Sequence, residues 1–177
     1  YQLNHPSHYF SMIENHLASR RLLVKKFLEI GVSENSLKFW SEYFPNAKIY
    51  GLDTNATMTD FNSDRIEIFI GNQKNMAILD QEVIPHGPFD VIIDDGGHYM
   101  DEQTTSLRRL FGCGLEKAGW YIVFDINTSY WPNYGGGYGM PGTTMSLMKN
   151  ILDQINFSFH DVRMLDFPFI QSMHFYD

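Results

Sequence analysis

At 177 residues with 44% hydrophobic content, the chain has the length of one globular domain, taken as residues 1–177, and enough apolar material for a sizeable core. Thirteen Lys and Arg against 21 Asp and Glu leave a net charge of −8, which repels phosphate backbones and anionic lipid and so weighs against nucleic-acid and membrane partners. One cysteine, Cys113, excludes an internal disulfide and a Cys-rich zinc site, and no apolar run approaches the ~18 residues a membrane helix needs, so a cytoplasmic protein is expected.

In chain order, residues 8–20 (HYFSMIENHLASR) place Phe10, Ile13 and Leu17 in helical register and predict an amphipathic helix that covers the site or packs on the sheet. The dense basic stretch RRLLVKK, residues 20–26, reads as a solvated helix face or the approach to a strand. Strands are expected at 27–30, 48–52, 66–70, 89–93 and 120–124, apolar runs bounded by turn residues. Between the first two, Ser36 is placed to cap a helix whose Leu37, Trp40 and Phe44 share a face, with Pro45 ending it. Between the last two, Leu107, Leu110 and Phe111 share a helix face that stops at Gly112 or Gly114, with Cys113 as a small buried residue near that end. The glycine- and aromatic-rich YWPNYGGGYGMPG follows, a loop whose Tyr130, Trp131, Tyr134 and Tyr138 suit a lid over a sugar ring. A helix is expected from about Thr143 through Ile155, then extended stretches near 157–165 and 169–176. Strands alternating with helices indicate an α/β fold with a Rossmann-like, doubly wound sheet and helices on both faces.

In such a fold the turn after the first strand, EIGVSENS, lies where ligands bind, and Glu29, Gly31 and Ser36 are candidate cofactor contacts. Ser33 stands where a second glycine would let a pyrophosphate approach the backbone, which disfavours a dinucleotide and a nucleotide-dependent oxidoreductase. Asp53 ends the second strand at a spacing suited to the hydroxyls of an adenosine ribose. Asn72 and Gln73, after the third strand, are amides placed for an adenine edge. A ribose and a base without a pyrophosphate describe S-adenosyl-L-methionine.

The end of the fourth strand, FDVIIDDGGH, concentrates Asp94, Asp95 and His98, and the neighbouring strand end brings Asp125 and Asn127. Two carboxylates with water and a substrate oxygen suit Mg²⁺, and a histidine alongside is placed to take a hydroxyl proton. Asp94 either caps the following helix or binds the amino end of the methyl donor.

LEIGVSENSLKFWSEYFPNAKIYGLD, IFIGNQ, FDVIIDDGGH and GWYIVFDINTSYWPNYGGG together resemble the class I S-adenosylmethionine-dependent methyltransferases that act on sugar hydroxyls of macrolides and related glycosylated products. The resemblance implies a mostly parallel sheet with an antiparallel C-terminal strand, Asp95 and Asp125 as metal ligands, His98 as general base, and a glycoside acceptor. That family has Glu-Asp where this chain has Phe124-Asp125. Three outcomes follow: two aspartates suffice, Asn127 or Asp94 substitutes, or the metal is lost and the chain is a cofactor-binding module. A homo-oligomer is compatible with all of them.

Overall fold

The structure, a computed structural model, describes residues 7–156, 159, 167 and 170–176. Five strands, β1 (Lys26–Ile30), β2 (Lys48–Asp53), β3 (Ile66–Ile70), β4 (Phe89–Asp94) and β5 (Leu115–Val123), form one sheet in the order β3-β2-β1-β4-β5, with every neighbouring pair parallel. The chain therefore reverses its direction of travel across the sheet between β1 and β4, and the crevice beyond their carboxyl ends is where such sheets bind ligands. The main helices are α1 (Ser7–Leu17), α2 (Glu34–Tyr43), α3 (Met76–Ile78, continued by a π turn over Leu79–Val83), α4 (Met100–Cys113) and α5 (Thr144–Ile155).

Strand alternation sends successive side chains to opposite faces, and both faces are covered. Phe27, Ile49, Ile68, Val91 and Ile93 pack under α1 and α2 with Ile13, Leu17, Leu37 and Trp40. Leu28, Ile30, Leu52, Phe69 and Ile92 pack on the other face with Leu79, Val83 and Leu110. Trp40 and Phe44, 1% and 0% exposed, flank Phe27 with ring centroids 5.0 and 5.2 Å away; burying each such side chain is worth about 1.5–3 kcal/mol.

The five expected strands and the expected helices are present with shifted ends. α1 stops at Leu17 and a 3-10 turn, Ala18–Arg20, takes up the rest of the expected helix; its Ile13 and Leu17 pack on the sheet. Ser33, not Ser36, is the N-cap of α2: its side chain accepts the Ser36 amide while the Ser36 hydroxyl accepts the Ser33 amide, a reciprocal capping box. β5 starts five residues earlier than expected, across an irregular register opposite Phe89 to Val91, where a Cβ on Gly119 would lie 2.9 Å from the Asp90 carbonyl. Gly114 ends α4, and Cys113 is exposed rather than buried. The buried face of that helix runs through Gln103, Ser106, Leu107 and Leu110, while the Cys113 sulfur meets Arg109 Nη1 at 3.3 Å on the outer side.

The basic stretch approaching β1 is occupied with main-chain carbonyls: Arg21 Nε donates to Tyr43 O at 2.6 Å and Lys26 Nζ to His86 O at 2.7 Å. Of the expected C-terminal strand, residues 157–165 fall outside the described residues except 159, and 170–176 carry no strand assignment, so the described sheet is wholly parallel. Residues 174 and 176 instead meet α1 and β5 through rings, His174 lying 4.7 Å from His16 and 5.9 Å from Trp120. Among the described residues, no helix is long and apolar enough to cross a membrane.

Candidate functional site

The site begins with a close approach between two turns. Gly31 has φ +81°, and a Cβ there would stand 2.2 Å from the Asp95 carbonyl oxygen. Only glycine combines that backbone with that contact. The ladder continues into both turns: Gly31 N–H donates to Leu52 O at 2.9 Å and Asp95 N–H to Ile30 O at 3.0 Å. The first turn and the Asp95 loop are therefore one rigid floor at the crevice.

Asp53 ties its own turn to that floor. Oδ2 accepts the Val32 amide at 3.0 Å and Oδ1 accepts the Asn55 amide at 2.7 Å. A carboxylate offers about four acceptor positions, so two stay available to a ribose diol.

Glu29 and Ser36 face each other rather than the crevice. Glu29, 2% exposed, receives Ser36 Oγ at 2.6 Å and Trp40 Nε1 at 2.9 Å. Burial, ahead of the opposing hydrogen bonds and with nearby Asp95 and Asp53 adding to it, raises its pKa from 4.5 to about 8. The neutral acid fits its partners, because Ser36 Oγ also reaches Ser33 O at 3.1 Å and can receive the Glu29 proton while donating onward. Below pH 4.5 folded and unfolded chains both hold this proton; between 4.5 and about 8 the unfolded chain releases it first, so stability falls as pH rises. Glu29→Gln is expected to flatten that decline, by up to about 1.4 kcal/mol per pH unit. Urea midpoints of both proteins across this range check it; parallel curves would refute a neutral Glu29.

Asp94 and Gln73 lie beneath the site. Asp94, with 0% exposure, accepts Ser106 Oγ at 2.5 Å, Gln73 Nε2 at 2.9 Å and Tyr121 Oη at 3.2 Å. Burial, only partly offset by these bonds, raises its pKa to about 6. It does not cap α4, whose N-cap is Tyr99, and it presents no surface to a ligand. Gln73, 4% exposed, spends its amide nitrogen on Asp94 and Ser106 and its oxygen on the Gly97 amide at 2.8 Å. Cβ atoms on Gly96 and Gly97 would meet Gln73 Oε1 at 2.2 Å and Glu102 Oε2 at 1.8 Å. The paired glycines thus let the loop settle on two polar side chains. Asn72 is half-buried, gives one N–H to Glu102 Oε1 at 2.6 Å and accepts the Lys74 amide at 2.9 Å, keeping one hydrogen and one lone pair. Glu102, Ser106 and Tyr121 were not among the sequence candidates. The signal for the first two was the helical spacing of polar residues on the otherwise buried face of α4.

Above this network, Asp95, His98 and Asp125 converge. One ligand atom from each lies within 4.8 Å of the others, the group among the described residues able to hold a metal ion. His98 Nε2 stands 3.5 Å from Asp125 Oδ2, and its buried Nδ1 has no hydrogen-bond partner. Asp125 has φ +52°, a left-handed conformation uncommon outside glycine, at the bend from β5 into the Ile126–Tyr130 turn. That bend separates it from Phe124, whose ring is buried with the α1 face of the core, 5.2 Å from Tyr9. Neither Phe124 nor Asp94 offers a ligand, so among the described His, Cys, Asp and Glu residues the donors are two carboxylates and one imidazole, with the Asn127 side chain exposed on the turn that follows Asp125. That set fits a divalent cation which keeps part of its hydration.

The aromatic loop borders the same corner. Tyr134 lies 6.4 Å from the His98 ring and 5.4 Å from that of Tyr99, with Trp131 a further 5.9 Å away. Gly136 and Gly137 N–H groups bond Trp131 O and Ser129 O at 3.0 and 2.9 Å, giving the loop a defined course.

No protein-family profile matches the chain. Curated proteins do. It is 33% identical over 162 residues to 8-demethyl-8-(2-methoxy-alpha-L-rhamnosyl)-tetracenomycin-C 3'-O-methyltransferase of Streptomyces olivaceus, covering 85% of this chain and 41% of the relative. It is 33% identical over 153 residues to mycinamicin VI 2''-O-methyltransferase of Micromonospora griseorubida, covering 80% and 38%. L-olivosyl-oleandolide 3-O-methyltransferase of Streptomyces antibioticus is 34% identical, covering 81% and 40%. Among solved structures, the mycinamycin-pathway methyltransferase MycE in complex with Mg, SAH and mycinamycin VI superposes with a TM-score of 0.82 at 31% identity, covering 95% of this chain and 47% of that one. The chain spans about two fifths of the length of the curated relatives it matches. The resemblance read from the sequence thus holds in both sequence and fold.

Proposed function

We propose that this homologue of the sugar O-methyltransferases, with their Rossmann-like sheet, transfers a methyl group from S-adenosylmethionine to a sugar hydroxyl of a glycosylated natural product or polysaccharide. The observation that carries the reading is the convergence of Asp95, His98 and Asp125 beside the Gly31–Asp53 crevice, in a chain whose relatives are named for that reaction.

Asp53, through its free acceptor positions, would hold the ribose hydroxyls of the donor over Gly31, and Asn72, through its spare hydrogen and lone pair, would hold the adenine edge. Glu29, Ser36, Gln73 and Asp94 shape the turns from beneath. The acceptor hydroxyl gives its proton to His98 Nε2 as its oxygen bonds to the methyl carbon and the carbon–sulfur bond breaks, leaving S-adenosylhomocysteine. The Asp125 carboxylate, 3.5 Å from that nitrogen, stabilises the imidazolium so formed. When bound by Asp95 and Asp125, Mg²⁺ supplies Lewis-acid stabilisation of the ionising oxygen. Tyr134 and Trp131 wall the acceptor side, where aromatic faces suit a sugar ring, and holding oxygen, carbon and sulfur in line supplies much of the rate. The remaining partners are small molecules or glycosides, in the cytoplasm, with no nucleic acid, and a homo-oligomer is compatible with this site.

Incubation with methyl-labelled S-adenosylmethionine, Mg²⁺ and a panel of glycosides is expected to label a sugar oxygen. Calorimetry is expected to show binding of S-adenosylmethionine and not of NAD; binding of NAD alone would overturn the assignment. Phe124 favours one second reading, a cofactor-binding module without turnover. Donor binding with no labelled product across the panel, with and without Mg²⁺, would select it.

A further inference from the structure

We propose that Asp95, His98 and Asp125 form a capture site for a zinc-class divalent ion, which recruits His98 as a third protein ligand and so removes the proton acceptor from the reaction.

Three observations lead there. First, the ionisable donors that converge there are two carboxylates and one imidazole, because Phe124 is turned into the core and Asp94 is sealed in its own network. Within this group an ion that prefers oxygen finds two ligands; one that accepts nitrogen finds three. Second, the 3.5 Å between His98 Nε2 and Asp125 Oδ2 is longer than the roughly 2.7–2.9 Å of a charge-assisted hydrogen bond. It is close to the ~3.3 Å that separates two ligands of a four-coordinate zinc with bonds of about 2.0–2.1 Å. Third, His98 Nδ1 is buried without a partner, so no second hydrogen bond holds the ring against a small rotation toward an ion.

Mg²⁺ takes imidazole poorly and leaves His98 free, whereas zinc, cobalt(II) and related ions take it readily. Phe124 sharpens the difference, since a glutamate pointing into the site would offer a third oxygen and lessen the advantage of recruiting His98. The inhibitory consequence rests on His98 being the base; the binding itself does not.

Calorimetry on the metal-free chain measures the binding. Zn²⁺ is expected to bind wild type about tenfold or more tightly than it binds His98→Ala or His98→Gln, while Mg²⁺ affinity stays within about twofold across the three. With Co²⁺, one exchangeable imidazole N–H resonance is expected far outside the diamagnetic range, and absent from both variants. Zn²⁺ added to the Mg²⁺-loaded protein is expected to stop methyl transfer. Equal Zn²⁺ affinity in wild type and both variants overturns the proposal. So does a parallel loss of Mg²⁺ affinity, which makes His98 a ligand for either ion, or full turnover with Zn²⁺ bound. A chain inactive with Mg²⁺ alone overturns the proposed function and the inhibitory consequence with it, while calorimetry still judges the site.

Discussion

His98→Ala is expected to lower kcat for methyl transfer by about 10²–10⁴-fold, the usual contribution of a positioned general base, with S-adenosylmethionine affinity within about twofold of wild type. The split follows from location. His98 sits at the Asp95 and Asp125 corner with its Nε2 toward Asp125, whereas the donor is expected over Gly31 and Asp53, whose carboxylate bridges the Val32 and Asn55 amides. Loss of donor binding together with turnover would mean that His98 shapes the cofactor crevice instead. Unchanged turnover would leave the enzyme class standing and remove the base. Steady-state kinetics paired with donor calorimetry separates these outcomes.

Gly31→Ala is expected to destabilise the fold by roughly 2–5 kcal/mol and to abolish donor binding. A left-handed backbone costs an L-residue about 1–2 kcal/mol. A methyl group 2.2 Å from the Asp95 carbonyl forces a backbone shift of the kind that costs about 1–3 kcal/mol in a packed interior. The obstacle is main chain, so no side-chain rotation relieves it, and the displaced loop carries both Asp95 and His98. Urea unfolding reads the stability and calorimetry the binding; a stable variant that still binds the donor would show that the two turns are not mechanically joined.

Much of the fold was legible because its causes are local. Apolar runs bounded by turn residues located all five strands, and the spacing of Leu37, Trp40 and Phe44 located α2. Even there the cap was misplaced by three residues, since Ser33 and Ser36 are chemically alike and only backbone conformation tells N-cap from N3. Cys113 was misjudged for a related reason: a small residue near a helix end is buried only if the inward face of the helix extends to it, and that of α4 ends at Leu110.

The candidate site divides the same way. Asp95, His98 and Asp125 were identifiable as polar residues at the ends of neighbouring apolar strands, and parallel neighbours bring such ends together whatever the details. Asp94 is adjacent to Asp95 and of the same type, yet it is sealed under the site by Ser106, Gln73 and Tyr121, while Asp95 joins the convergent group. Which face a strand-end side chain takes depends on the register of β4 and on the side chains below it, Gln73, Ser106 of α4 and Tyr121 of β5, partners up to 27 residues away in sequence.

By itself the sequence determined the α/β order, the glycine turn and the carboxylates and histidine at the crevice, because periodicity and turn chemistry act between near neighbours. Only the tertiary structure decided that Phe124 belongs to the core, that Gln73 and Glu102 support Gly96 and Gly97, and that Glu29 lies beneath the turn. Each of those outcomes is a choice of partner in a densely packed interior, made when segments distant in the chain meet.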